Sequence, residues 1–183
     1  TLTQAEAALL YTNGMPTYVG AAALPDADQV FESLVHDNWT DADGWRNGHV
    51  PYNNSALVTG AGVAATVNSA VPSFNNLYVD QGASLTVDGV PFRPDGTVTV
   101  SYGAAIRIIA GGLLDPAGQV HLNSGGTLDV AGTGSKLFVQ AINNPVRVGN
   151  NTLTPSQLNV TDGAELEVRN STLQVSYNSD AAP

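Results

Sequence analysis

The chain has 183 residues, 43% of them hydrophobic and 12% charged, with no cysteine and a net charge of −10. That length buries a core without cross-links, the aliphatic content excludes a disordered chain, and the missing thiols exclude disulfides and thiolate chemistry. Six basic residues, scattered at Arg46, Arg93, Arg107, Lys136, Arg147 and Arg169, face 16 acidic ones, which argues against nucleic acid and against an anionic membrane surface as partners.

Two short N-terminal stretches carry helical signals. Thr3-Gln4-Ala5-Glu6 has capping-box spacing ahead of Ala7, Ala8, Leu9 and Leu10. From Asp26 to Val35, the residues Val30, Phe31, Leu34 and Val35 fall at helical intervals behind Asp26 and Asp28. A loop with both tryptophans, Asp37 to Pro51, follows, and after it the texture changes to short β-branched runs broken by Gly, Asn, Asp and Pro. No apolar run has the length of a membrane-spanning helix, so membrane insertion is not expected.

The β-region repeats. Leu77–Gly89, Val98–Ile108, Val120–Val130 and Leu158–Val168 share the pattern apolar-x-apolar-x-x-Gly-small-x-apolar-x-apolar, with turn glycines at Gly82, Gly103, Gly125 and Gly163. The first two intervals are 21 and 22 residues, and the last, 38, leaves room for a degenerate coil carrying Leu137-Phe138-Val139. Residues Leu57 to Val67 read as an earlier degenerate coil. A period near twenty with two strands per copy is the mark of a solenoid, in which every second side chain points inward and stacks on its equivalent one coil away. The expectation is an all-β parallel β-helix of about six coils, roughly 30 Å long. It divides into a helical cap with the Trp loop (1–54), the solenoid (55–177) and a tail (178–183). The competing architecture is an antiparallel sandwich or jelly roll, with Asp88-Gly89 and Asp95-Gly96 as hairpin turns.

The stretch Asn38-Trp39, Trp45, Gly48-His49-Val50-Pro51, Ala56-Leu57-Val58, then Leu77-Tyr78-Val79 and Ala83-Ser84-Leu85-Thr86-Val87, resembles the opening of secreted bacterial β-solenoid proteins. In autotransporter passenger domains and repetitive surface proteins, a W…W…G-x-V-P segment leads into repeats of this kind. The similarity covers Asn38 to Val175. The Gly-Gly-Thr-Leu form of the repeat occurs once, at Gly125 to Leu128. The resemblance implies surface display, adhesion or matrix structure on a bacterial cell, and supplies no catalytic residues.

Candidate sites are few. Asp37, Asp41 and Asp43, beside Asn38, offer oxygen ligands for Ca²⁺ without EF-hand spacing, against the reading of a solvated loop with Asx turns. Trp39 and Trp45 suit stacking on a sugar ring, against the reading that they plug the solenoid's N-terminal end. His36, His49 and His121 fall on different elements without metal-ligand spacing. Arg107 and Asp129 share one outward position, with Asp88 two places further on, which reads as a salt-bridge ladder more simply than as a catalytic face. Leu173 and Val175 mark an open edge that pairs with another subunit, continues into further sequence, or is masked by the Ser179–Pro183 tail. The expected function is therefore a non-enzymatic extracellular structural or adhesive module that self-associates through its ends. The alternative is a glycan-binding module, or a fragment of a β-helix polysaccharide-active enzyme, with polysaccharide as partner.

Overall fold

The structure, a computed structural model, describes residues 29–140, 145–149 and 154–175. Its strands are short and follow in chain order: β1 (Gln29–Phe31), β2 (Ala56–Thr59), β3 (Ala64–Val67), β4 (Leu77–Asp80), β5 (Ser84–Asp88), β6 (Pro91–Phe92), β7 (Val98–Val100) and β8 (Ala105–Ile109). They continue with β9 (Leu113–Leu114), β10 (Val120–Leu122), β11 (Thr127–Ala131), β12 (Lys136–Val139), β13 (Val146–Val148), β14 (Gln157–Thr161), β15 (Glu165–Val168) and β16 (Leu173–Val175).

These strands build three parallel sheets. The first runs β1-β2-β4-β7-β10-β13-β16, the second β3-β5-β8-β11-β14, and the third β6-β9-β12-β15. The chain visits the faces in turn and returns one strand further along, as in a parallel β-helix. Every strand-to-strand pairing is parallel, and the one antiparallel bridge among the described residues joins Phe31 to Trp45. A sandwich built on hairpins is thereby excluded, because hairpins place neighbouring strands antiparallel.

Alternation explains which side chains go inside. In β5, β8 and β11 the residues Leu85 and Val87, Ile106 and Ile108, and Leu128 and Val130 are buried, and the register stacks them coil upon coil. Leu77, Val98, Val120 and Val146 form the matching stack of the first face. The third face contributes Phe92, Leu114 and Leu137.

The corner between the first two faces is a tight turn of the mirror-image type I kind. The Ala83 N–H donates to the Asp80 carbonyl at 3.1 Å, with Gln81 at φ 52° and Gly82 at φ 73°. Two consecutive left-handed residues turn the chain inside four positions, and glycine at the second removes the Cβ clash there. Tyr102-Gly103 and Ser124-Gly125 repeat the device in the next two coils.

The structure corrects the fourth copy of the repeat. Gly163 lies between β14 and β15, so it turns the corner from the second face to the third. Leu158 pairs with Leu128, where the repeat alignment placed it beside Val120. The second corner uses the same device, Ala110-Gly111 in one coil and Asp162-Gly163 in another, and a strand–glycine–strand pattern therefore occurs at both corners. For the same reason Leu137-Phe138-Val139 is not a coil of its own. It is the third side of the coil that begins at Val120. Leu57 to Val67 does supply two sides of an earlier coil, β2 and β3.

The second expected helix is also corrected where it is described. Gln29–Phe31 is a strand, paired residue for residue with Ala56–Val58, so the first sheet begins well before Ser55. Leu34 and Val35 are exposed beyond it and belong to no helix. The helix expected at Thr3 to Leu10 and the 178–183 tail lie outside the described residues.

Candidate functional site

Two regions depart from the regular coil: the segment around the tryptophans and the last described coil. At the first, an Asn38–Thr66 bridge takes the place of a strand on the second face, with the Trp39 N–H donating to the Thr66 carbonyl at 2.9 Å. Asp41 then caps a single 3-10 turn at Ala42–Gly44, its carboxylate accepting from the Asp43 N–H at 3.0 Å. The Arg46 N–H returns the chain to Val30 at 2.8 Å.

Both indoles are thereby carried inward. Trp39 is 0% and Trp45 2% exposed, and the Trp45 ring N–H donates to the Trp39 carbonyl at 2.8 Å. Trp39 packs edge-on against Trp45 at 4.7 Å and Phe92 at 5.1 Å, and tilts against Phe74 at 5.4 Å; Phe31 meets Trp45 at 5.2 Å. Edge-to-face contacts of this kind suit the ring quadrupole and add to the area buried. Gly44 permits the arrangement, because a Cβ there would lie 2.4 Å from Phe31 Cε2. The sugar-stacking expectation for Trp39 and Trp45 gives way, since neither ring offers a face to solvent. They form an aromatic block inside the first coils.

In the acidic loop, the Asp41 carboxylate is committed to local bonds. Asp41 accepts from the Asp43 backbone and meets His36 Nδ1 at 2.6 Å, and those two bonds, the backbone one foremost, hold its carboxyl below the usual range. Among the described residues no three His, Asp or Glu side chains are grouped as a metal would require. Beside the loop, Arg46 grips Glu32 with two bonds, 2.9 and 2.5 Å.

The outward ladders are polar and mostly paired. On the third face Lys136 bridges Glu165 at 3.3 Å and also Glu167, which in turn meets Arg169. Hydrogen bonding to Glu167 raises the Lys136 ammonium and, reciprocally, bonding to Lys136 lowers the Glu167 carboxyl. Phe138 lies between the two cations, with Lys136 Nζ 5.4 Å and the Arg169 guanidinium 5.3 Å from its ring centre. Arg93 pairs with Asp115 at 3.1 Å. On the second face Arg107 and Asp129 do occupy facing positions, yet they form no ion pair; Asp129 accepts instead from Asn159 Nδ2 at 2.7 Å. The expected ladder is replaced by an amide–carboxylate bond one coil further on.

On the first face the middle outward positions are Tyr78, Thr99, His121, Arg147 and Gln174, in register. The triplets Val120-His121-Leu122, Val146-Arg147-Val148 and Leu173-Gln174-Val175 hold the signal for this row, visible once the coils are aligned. Arg147 Nε donates to Gln174 Oε1 at 3.1 Å, and His121 Nε2 meets Gln119 Oε1 at 2.6 Å. Burial, with the Arg147 charge second, lowers the His121 imidazole.

At the last described coil, the positions that would point into the core are open. Leu173 is 47%, Val175 76% and Val160 39% exposed, and β14, β15 and β16 each pair on one side only among the described residues. Leu173 and Val175, the residues of the expected assembly edge, lie on β16, the outermost described strand of the first face.

No family model, curated protein or solved structure matches this chain. The fold is that of an all-β protein with long parallel sheets, and the resemblance to secreted bacterial solenoids rests on the sequence pattern.

Proposed function

We propose that this chain is a non-enzymatic structural or adhesive module of a bacterial surface or matrix, a solenoid of about six coils that joins other solenoids end to end. One observation carries the reading: the core-directed positions Val160 of β14 and Leu173 and Val175 of β16 are left exposed at the last described coil, whose strands each pair on one side only among the described residues. An open strand edge with apolar side chains pairs readily with another parallel coil. A head-to-tail contact between the last coil of one copy and the first of the next is heterologous and does not close, so it extends into a filament. The acidic surface and cysteine-free composition fit an extracellular setting. Glycan binding through Trp39 and Trp45 is the less supported reading, since both are buried.

Light scattering over a concentration series, with electron microscopy of the same samples, tests the reading. Concentration-dependent growth into rods is expected, lost on Val175→Lys. A particle that stays monomeric at every concentration overturns end-to-end assembly.

A further inference from the structure

Four of the six basic side chains are neutralised by the protein's own carboxylates: Arg46 by Glu32, Arg93 by Asp115, and Lys136 and Arg169 by Glu167. Arg107 and Arg147 are not, and Arg107 at least faces Asp129 in register. The Nε of Arg147 is held by Gln174, and no carboxylate among the described residues pairs with its guanidinium. In a chain of net charge −10, a guanidinium without an acidic neighbour is the exception.

Arg147 also lines an open groove of about 350 Å³ with Pro145, Asn170, Ser171, Thr172 and Gln174. That volume lies within the ordinary range of small-ligand sites. Apart from the proline and the arginine, each of these side chains is a neutral hydroxyl or amide, able to donate and accept. The register fixes the arrangement, because Arg147 and Gln174 are partners on adjacent strands and Pro145 and Thr172 immediately precede the paired Val146 and Leu173. The Arg147–Gln174 bond orients the guanidinium plane by its Nε, and the two terminal nitrogens, for which no partner is found among the described residues, have the geometry of a fork for a planar carboxylate.

We propose that this groove is a binding subsite for an acidic sugar, with Arg147 receiving the carboxylate and the Asn170–Thr172 turn and Gln174 receiving the ring hydroxyls. A uronate combines the two features that the groove separates: one anionic carboxylate and several neutral hydroxyls. An acidic peptide supplies the carboxylate without the hydroxyls. The subsite opens on the outward face of the first sheet and shares β16 with the assembly edge through Gln174, but assembly is read by light scattering and binding by calorimetry, so the failure of one is distinguishable from the failure of the other.

The test is calorimetric titration of the full chain with glucuronate, with an oligomeric uronan, with a neutral oligosaccharide of the same length, and with a glutamate-rich peptide. Wild-type protein is expected to bind the uronan more tightly than the monomer and to ignore the neutral sugar. Arg147→Gln should weaken uronate binding by about tenfold or more, the scale of losing a charge-assisted contact. Arg107→Gln removes an arginine of the second face and should leave binding unchanged. Circular dichroism of each variant confirms that the coil is intact. Absence of uronate binding by wild type, equal binding by Arg147→Gln, or binding of the peptide alone would each overturn the proposal.

Discussion

Replacing Ile106 by alanine probes how rigidly the coils hold one another. Ile106 is fully buried in β8, in register with Leu85 on one side and Leu128 on the other. The change deletes three carbons, worth roughly 2.4 kcal/mol of transfer free energy at ~0.8 per methylene. The cavity adds to that. Both neighbours sit on strands held at a spacing of about 4.8 Å by backbone hydrogen bonds, so the gap cannot close by a coil moving inward. The loss should therefore fall in the upper half of the ~2–5 kcal/mol range for buried truncations. Val160 is the comparison. It belongs to the same sheet but is 39% exposed at the last described coil, and Val160→Ala should cost under about 1 kcal/mol. Urea unfolding followed by circular dichroism measures both, with the slopes compared to confirm that the transition keeps its cooperativity. Equal losses for the two variants, or a cost below about 1 kcal/mol for Ile106→Ala, would refute the stacked-core argument.

Gly44→Ala should destabilise by about 1–3 kcal/mol, the usual cost of overpacking, since the new methyl meets the Phe31 ring; differential scanning calorimetry reads it. His121 gives a pH signature. Its folded-state imidazole titrates below the ordinary value of about 6.5, so the unfolded chain takes up the proton first. Its contribution is intact above that value and is lost as pH falls through the folded one; His121→Gln should flatten this part of the stability–pH curve. The strand assignment of the last coils is checked by oxidation of a double variant, which the cysteine-free background makes unambiguous. Asp129→Cys with Asn159→Cys should cross-link, as their Cα atoms are register partners about 4.8 Å apart. His121→Cys with Asn159→Cys should not, and a cross-link there would restore the repeat alignment that the structure revises.

Much of the fold was legible because alternation is a strong signal. Leu77-x-Val79 and Leu85-x-Val87 cannot both bury their apolar residues except as strands, and the 21-residue interval between Gly82 and Gly103 places successive copies side by side. The third face was not legible. Its strands β6 and β9 are two residues long, and one begins with a proline, so neither shows a period. The phase of Gly163 escaped because both corners demand the same pair of left-handed residues, and local turn chemistry cannot tell one corner from the other. Val30 and Phe31 read as helical because Leu34 and Val35 complete the spacing; only pairing with Leu57 and Val58 reveals the strand, and that contact lies 27 residues away. The Arg147 groove was hidden for a similar reason, since Arg147, Asn170 and Gln174 meet only after the coils are stacked.

The aromatic block makes one end of the molecule optically distinct. Both tryptophans of the chain lie within it, in edge-to-face contact and shielded from water, so tryptophan fluorescence, excited apart from the tyrosines, reports on the first described coils. Far-ultraviolet dichroism reports on strands along the whole length. In a quasi-one-dimensional array, each coil is held by its neighbours, and melting can start at one end and advance like a front. Recording the two signals in a single thermal scan turns that front into a separation between two curves, with the order of the midpoints giving its direction of travel.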